Sequence, residues 1–134
     1  MNTDNPIITD AVQAEPEIRA EANFALIHDM LARGDVEGAT RTIQSMERQM
    51  DRDLGFGGVA EYLSQGGTFE SVIEMLSHIE GANTRDDALV RIAEAKSRAG
   101  KFEDARAYLY HIEDLDTQEK EAELLGIELE GREE

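Results

Sequence analysis

The sequence predicts an all-α fold in which paired helices stack as a repeat, and three observations carry that expectation. Three fourteen-residue segments align without gaps at a constant offset of 33 residues: GDVEGATRTIQSME from Gly34, GTFESVIEMLSHIE from Gly67 and GKFEDARAYLYHIE from Gly100. Within each segment the apolar residues fall at three- and four-residue steps, the period of one helix face. Aromatic residues make up 5% of the chain and Trp is absent, which is thin for a β-sandwich or barrel and ordinary for a helical array.

The second and third segments share seven of fourteen residues: the Gly, Phe69/Phe102, Glu70/Glu103, Leu76/Leu109, His78/His111, Ile79/Ile112 and Glu80/Glu113. The first keeps Gly34, Glu37, Ala39, Ile43 and Glu47 in register. A constant spacing of a few tens of residues marks units that bury their apolar faces against one another. Each unit reads as two helices. The second helices carry the stripes Val36, Ala39, Ile43 and Met46; Phe69, Val72, Leu76 and Ile79; and Phe102, Ala105, Leu109 and Ile112. The helices before them carry Ala22, Leu26 and Met30, then Val59 and Leu63, then Leu89, Ile92 and Ala99. Gly34, Gly67 and Gly100 follow those first helices, where a left-handed backbone ends a helix without steric cost.

The boundaries follow from the same chemistry. Pro16 suits a first helical turn, and Thr84 with Asp87, like Asp116 with Glu119, resembles a capping arrangement. Asp51-Arg52-Asp53, Gly81-Ala82-Asn83 and Asp114-Leu115-Asp116 read as short polar connections. Gly55, Gly57, Gly58 and the pair Gly66-Gly67 weaken the helix they surround by about 1 kcal/mol for each interior Gly, so that helix is expected to start near Gly58 or to be the most mobile element. Residues 1–15 show no periodicity and read as a disordered arm. A single domain follows over 16–130, with units at about 17–50, 53–81 and 84–114 and a helix over 117–130. That last helix is acidic on its outer face, as the cover of an open-ended stack must be polar, and 131–134 form an acidic tail.

Thirty acidic against thirteen basic residues give a net charge of -17. Such an excess disfavours contact with nucleic acid or an anionic membrane surface, and it favours solubility and a basic partner. With no Cys, disulfides, thiolate zinc sites and a thiol nucleophile are excluded. No secretory signal or membrane-length apolar run is present, so the cytoplasm is the expected location.

Few residues suggest chemistry. His78 and His111 recur, each followed by Ile-Glu, but residues two apart point to different sides of a helix and neither His-Glu pair can chelate within itself. Shared descent of the unit, with each His filling a niche between helices, accounts for them. Glu37, Glu70 and Glu103 stand in the first turns of the second helices, where the helix dipole favours a negative charge by about 0.3–1 kcal/mol. Glu47, Glu80 and Glu113, at the far ends, read as a solvated ridge. No phosphate loop, Ser-His-Asp set or His-Glu-x-x-His motif occurs, so neither an enzyme, a metal site nor a cofactor is expected.

The string Ala99-Gly-Lys-Phe-Glu-Asp-Ala105, with Leu109 and Ile112 beyond it, resembles the tetratricopeptide repeat. In that family a small residue and Gly end the first helix, an aromatic opens the second and an Ala follows three residues later. The resemblance covers about Pro16 to Glu130 and implies a right-handed superhelix of three helix pairs plus a C-terminal capping helix. It also implies a concave peptide-binding groove lined by the first helices. The period of 33 rather than 34, the missing large aromatic of the first helix, the missing proline after the second and Val72 in place of Ala mark a divergent member. Pentatricopeptide-like and other paired-helix repeats also fit. Residues that clamp a C-terminal carboxylate in some members are absent at the matching positions, so chaperone-tail binding is not expected.

Carried over position by position, the groove comprises Glu21, Phe24, His28 and Leu31; Glu61, Ser64 and Gln65; and Asp87, Val90, Glu94, Ser97 and Arg98. His28 between Phe24 and Leu31 reads equally as core packing. The expected function is a non-catalytic adaptor or scaffold that holds a peptide or helix of a protein partner, with a homodimer as a further expectation. The alternative is an acidic inhibitor that imitates nucleic acid, although residues 33–53 mix five acids with four bases.

Overall fold

Among the described residues seven helices follow one another: α1 Pro6–Ala32, α2 Val36–Gln44, α3 Gln49–Ser64, α4 Phe69–Leu76, α5 Ala82–Arg98, α6 Phe102–Leu109 and α7 Leu115–Leu125. The computed structural model describes the backbone of residues 6–130 and the side chains of 15–130, and no strand occurs among them. The fold is all-α. The most extensive packing is between sequential neighbours, α1 on α2, α3 on α4 and α5 on α6, while α3 also packs on α5, α2 and α1.

The core is built largely from the stripes read in the sequence. Ala39, Ile43, Met46, Val72, Leu76, Ile79, Ala105, Leu109 and Ile112 are buried, as are Val59, Leu89 and Ile92. Phe102 is exposed instead, and so is Ala99 at the end of α5. The stripe of α1 is displaced. Met30 packs on the core as expected, but Ala22 and Leu26 face solvent while Ala20 and Ile27 are buried, with Phe24 and Leu31 packed beside them. A short apolar set of three residues is compatible with two adjacent helix faces, and contact with α2 and α3 selects the other one.

Helix α1 begins ten residues ahead of Pro16, which lies inside it. Residues 6–15 therefore continue the helix rather than form an irregular arm; residues 1–5 lie outside the described residues. Pro16 removes one N–H, and the good helix formers Ala11, Gln13, Ala14 and Glu15 precede it. Helix α3 starts at Gln49, nine residues before Gly58. Gly55 serves close packing, since a Cβ there would stand 2.7 Å from Ile43 Cγ1, whereas one at Gly57 would meet the Cβ of Ala88 in ordinary contact at 3.7 Å.

The connections lie nearer the N-terminus than the polar triplets suggested, at 45–48, 77–81 and 110–114, so Asp51-Arg52-Asp53 belongs to α3 and Leu115-Asp116 to α7. Gly81, without a side chain to bond, is the N-cap of α5, and Thr84 lies within the helix. Asp114 caps α7 by accepting from Asp116 N–H, two residues ahead of the expected cap. Gly34 and Gly100 are left-handed, with φ of 79° and 78°. The residue after each closes back on the helix, Asp35 N–H to Met30 O and Lys101 N–H to Lys96 O, both at 2.8 Å. Gly67 departs from this pattern. Its φ is not positive, its N–H donates to Leu63 O at 2.6 Å, and a Cβ there would lie 2.8 Å from that same oxygen.

The final helix is shorter than 117–130. It ends at the left-handed Gly126, after which Ile127 turns into the core. Residues 127–130 run without regular structure along α6: Arg106 Nε–H donates to Glu128 O at 2.8 Å and Glu130 N–H to Tyr110 Oη at 2.8 Å. The tail at 131–134 lies outside the described residues.

Candidate functional site

The C-terminal halves of α1 and α3 run side by side and leave an open cleft of about 330 Å³ between them. His28, Leu31, Ala32, Gly58, Glu61, Tyr62 and Gln65 line it. Four of the eleven α1, α3 and α5 residues placed in a groove from sequence, leaving aside Asp87, meet here: His28, Leu31, Glu61 and Gln65. Gly58 forms a bare patch, since a Cβ built there meets nothing within 4 Å. A second cleft of about 440 Å³, lined by Tyr62, Leu63, Gln65, Gly66 and Gly67, shares Tyr62 and Gln65 with the first.

The remaining groove residues have other surroundings. Glu21 is exposed, and Phe24 packs against the core without lining the cleft. Ser64 is buried; its hydroxyl donates to Glu61 O at 2.6 Å and its carbonyl accepts from Lys96 Nζ at 2.6 Å. Arg91 Nε–H donates to Glu61 Oε2 at 2.8 Å. These two contacts tie α5 to α3, so that seam is bridged while the seam between α1 and α3 stays open. Val90 packs on the core, Ser97 is half-buried, and Asp87 and Arg98 are exposed on α5, none of them at the cleft.

Glu94 has a different neighbour. Glu121 on α7 is buried to 9% exposure, and its Oε1 has no hydrogen-bond partner. Burial, a hydrogen bond with Glu94 and the charge of Glu94 push the Glu121 carboxyl up to about 7. A proton on Glu121 removes the repulsion between two carboxylates at close range. Glu121 meets Glu94 of α5 from α7, a helix that packs on α5 and α6 less extensively than the earlier helices pack on one another.

The two matched histidines sit against aromatic rings. His78 stacks on Phe56 with centroids 5.1 Å apart and planes at 28°, and His111 lies 5.5 Å from Phe69 at 56°. Among the described residues no three His, Asp or Glu side chains converge as metal ligands.

Sequence reasoning missed two buried carboxylates. Asp53 accepts from the N–H groups of Glu80 and Gly81, both at 3.0 Å, and Asp86 accepts from those of Glu113 and Asp114 at 2.9 and 3.1 Å. The two bind equivalent connections 33 residues apart. The signal was present in the sequence, because Arg52-Asp53 recurs as Arg85-Asp86. Each arginine also donates to the connection before its helix, Arg52 to Met46 O at 2.7 Å and Arg85 to Ile79 O at 2.8 Å. Tyr62 and Gly58, which complete the cleft, were missed too. Met50, Leu54, Gly58 and Tyr62 follow one another at four-residue steps, and Met50 and Leu54 are 70% and 48% exposed.

Among the described residues no helix is long and apolar enough to cross a membrane. No protein-family model matches the chain, and no curated protein or solved structure matches it significantly.

Proposed function

We propose that the chain is a non-catalytic interaction module, a tetratricopeptide-like stack of helix pairs that holds a peptide or helix of a protein partner along the seam between α1 and α3. The observation that carries this reading is the open cleft over Gly58, where His28, Glu61, Tyr62 and Gln65 offer polar groups around Leu31 and Ala32. Apolar surface continues from it along α3 through the exposed Leu54 and Met50. A concave site of a few hundred Å³ with an apolar base and a few polar groups suits a side-chain anchor. The charge of -17 favours a partner with a basic surface, whose association would be faster at low salt. A nucleic-acid mimic finds less support, because Glu47, Glu61, Glu103 and Glu113 are each paired with an arginine.

Gly58→Gln tests the site. A side chain at this open helical position fills the cleft while raising helix propensity, so thermal stability is expected to rise by about 0.5–1 kcal/mol. Partner capture from native cells by the Gly58→Gln protein is expected to fall at least tenfold against the wild-type chain. Capture of the same partner at equal yield would remove the cleft from the interface.

A further inference from the structure

The connection at 45–48 lacks a group that the two later connections have. At 77–81 and 110–114 a buried carboxylate accepts two backbone N–H groups, Asp53 from Glu80 and Gly81 and Asp86 from Glu113 and Asp114. Thirty-three residues earlier, Ala20 holds the position of Asp53, and Glu47 and Arg48 hold those of Glu80 and Gly81. Among the described residues no acceptor meets the N–H of Glu47 or that of Arg48. Space stands where the carboxylate would be. A hollow of about 90 Å³ opens there, lined by Ala20 and Asn23 of α1 and by Ser45, Glu47 and Arg48 of the connection. One water takes up about 30 Å³ in the liquid, so the hollow admits a group larger than a single water.

The two free donors are held in place from behind. Arg52 Nη1 donates to Met46 O at 2.7 Å and to Glu47 O at 3.1 Å. Those carbonyls share their peptide groups with the N–H of Glu47 and the N–H of Arg48, and in a trans peptide the two ends point opposite ways. Arg52 therefore turns both N–H groups away from itself and polarises them as donors. The middle connection shows the same device at work: Arg85 donates to Ile79 O at 2.8 Å, and the N–H of that peptide group, on Glu80, meets Asp53 at 3.0 Å. Charges around the hollow balance. Arg19 donates to Glu47 Oε1 at 2.6 Å and Arg48 Nε–H to Asp51 Oδ2 at 2.7 Å, so neither acid is left unpaired to repel an anion.

We infer that the hollow at Ala20 is a binding site for a carboxylate from outside the fold, received on the N–H groups of Glu47 and Arg48 as the Asp53 carboxylate is received on those of Glu80 and Gly81. The site shares no residue with the α1–α3 cleft and does not depend on the reading of that cleft.

The test is an NMR titration of the full chain with sodium acetate, run in parallel with acetamide and with sodium chloride. Acetate is expected to move the amide protons of Glu47 and Arg48 downfield to saturation. Those of Glu80, Gly81, Glu113 and Asp114 already have carboxylate acceptors and are expected to stay in place. Acetamide, of the same shape without the charge, is expected to bind roughly fivefold more weakly, because a charged acceptor makes the stronger bond. Ala20→Asp supplies the carboxylate from within; it is expected to move the two amides downfield without ligand and to weaken the acetate response roughly tenfold or more. N-acetyl-aspartate amide separates the sources of the group. Binding as tight as that of acetate supports the site as a receiver of an acidic side chain, and exclusion of this probe where acetate binds supports it as a site for a small free carboxylate. Absence of saturable shifts at Glu47 and Arg48, an equal response to acetamide or chloride, or an undiminished acetate response in Ala20→Asp would overturn the assignment. The comparison of acetate with acetamide and chloride uses the wild-type chain, so the result stays decidable if Ala20→Asp does not fold.

Discussion

The connections at 77–81 and 110–114 each have two backbone N–H groups held by a buried carboxylate, whereas the one at 45–48 has none held in that way. Asp53 and Asp86 reach the two later connections with buried carboxylates that each accept two backbone N–H groups. The residue 33 before Asp53 is Ala20, and beside it a hollow of about 90 Å³ opens against Ser45, Met46, Glu47 and Arg48. That joint is held by Arg52, which donates to Met46 O and Glu47 O, by Arg48 on Asp51, and by the exposed pair Arg19–Glu47 at 2.6 Å, the counterpart of Arg85–Glu113 at the last joint. The difference teaches that sequence-equivalent joints of one chain carry unequal loads. Two have a buried carboxylate on their backbone N–H groups, and one relies on arginine bonds alone, of which the exposed pair Arg19–Glu47 is open to screening by salt.

Removing an inner fastening is expected to have the largest effect. Asp53→Ala and Asp86→Ala each leave two backbone donors without their acceptor, and each should lower the unfolding free energy in urea by about 3 kcal/mol. Comparable losses at both sites would show that the two joints are equivalent, and a loss below about 0.5 kcal/mol would erase the distinction drawn here.

Next in size is the pH response of α7. Glu121 takes up a proton near pH 7 in the folded chain against about 4.5 ordinarily, so the folded state binds the extra proton between these values. Its contribution to stability is therefore full below about pH 4.5 and is lost as pH rises through 7. Wild-type chain and Glu121→Gln, melted in parallel from pH 5 to pH 8, should diverge by on the order of 2 kcal/mol, with the variant favoured at the higher pH. Parallel curves would show that the proton on Glu121 does not stabilise the fold.

Ala20→Asp would install the missing carboxylate at the first joint. If it captures the N–H groups of Glu47 and Arg48, stability rises by about 1 kcal/mol, and those two amides become protected from hydrogen exchange. A fall in stability would mean that the 90 Å³ hollow does not position the group as α3 and α5 do. The smallest effect is expected for Arg19→Ala, a marginal loss of stability at low ionic strength that vanishes in high salt, since both partners are exposed.

The helical fold was legible because apolar spacing and recurring glycines report on contacts that each unit repeats. The same regularity misplaced the connections. Acidic triplets such as Asp51-Arg52-Asp53 have loop-like composition, and only the pairing of Asp53 with a connection 27 residues away explains a carboxylate inside a helix. Gly67 shows a related limit. It aligns with Gly34 and Gly100, yet it is required by the proximity of Leu63 O rather than by a left-handed φ, and a sequence does not distinguish these two needs. Of the groove positions carried over from the resemblance, His28, Leu31, Glu61 and Gln65 line one cleft between α1 and α3. The bridging of α5 by Arg91 and Lys96, and the meeting of Glu94 with Glu121, depend on how neighbouring helices are set against one another.

Helix α3, with Gly55 at its closest approach, packs against α1, α2, α4 and α5, while α7 packs on α5 and α6. Its consequence lies in how the molecule comes apart. Helices that share α3 lose their common neighbour together and should unfold as one cooperative block, whereas α7 can detach and return on its own, the first segment a protease would find.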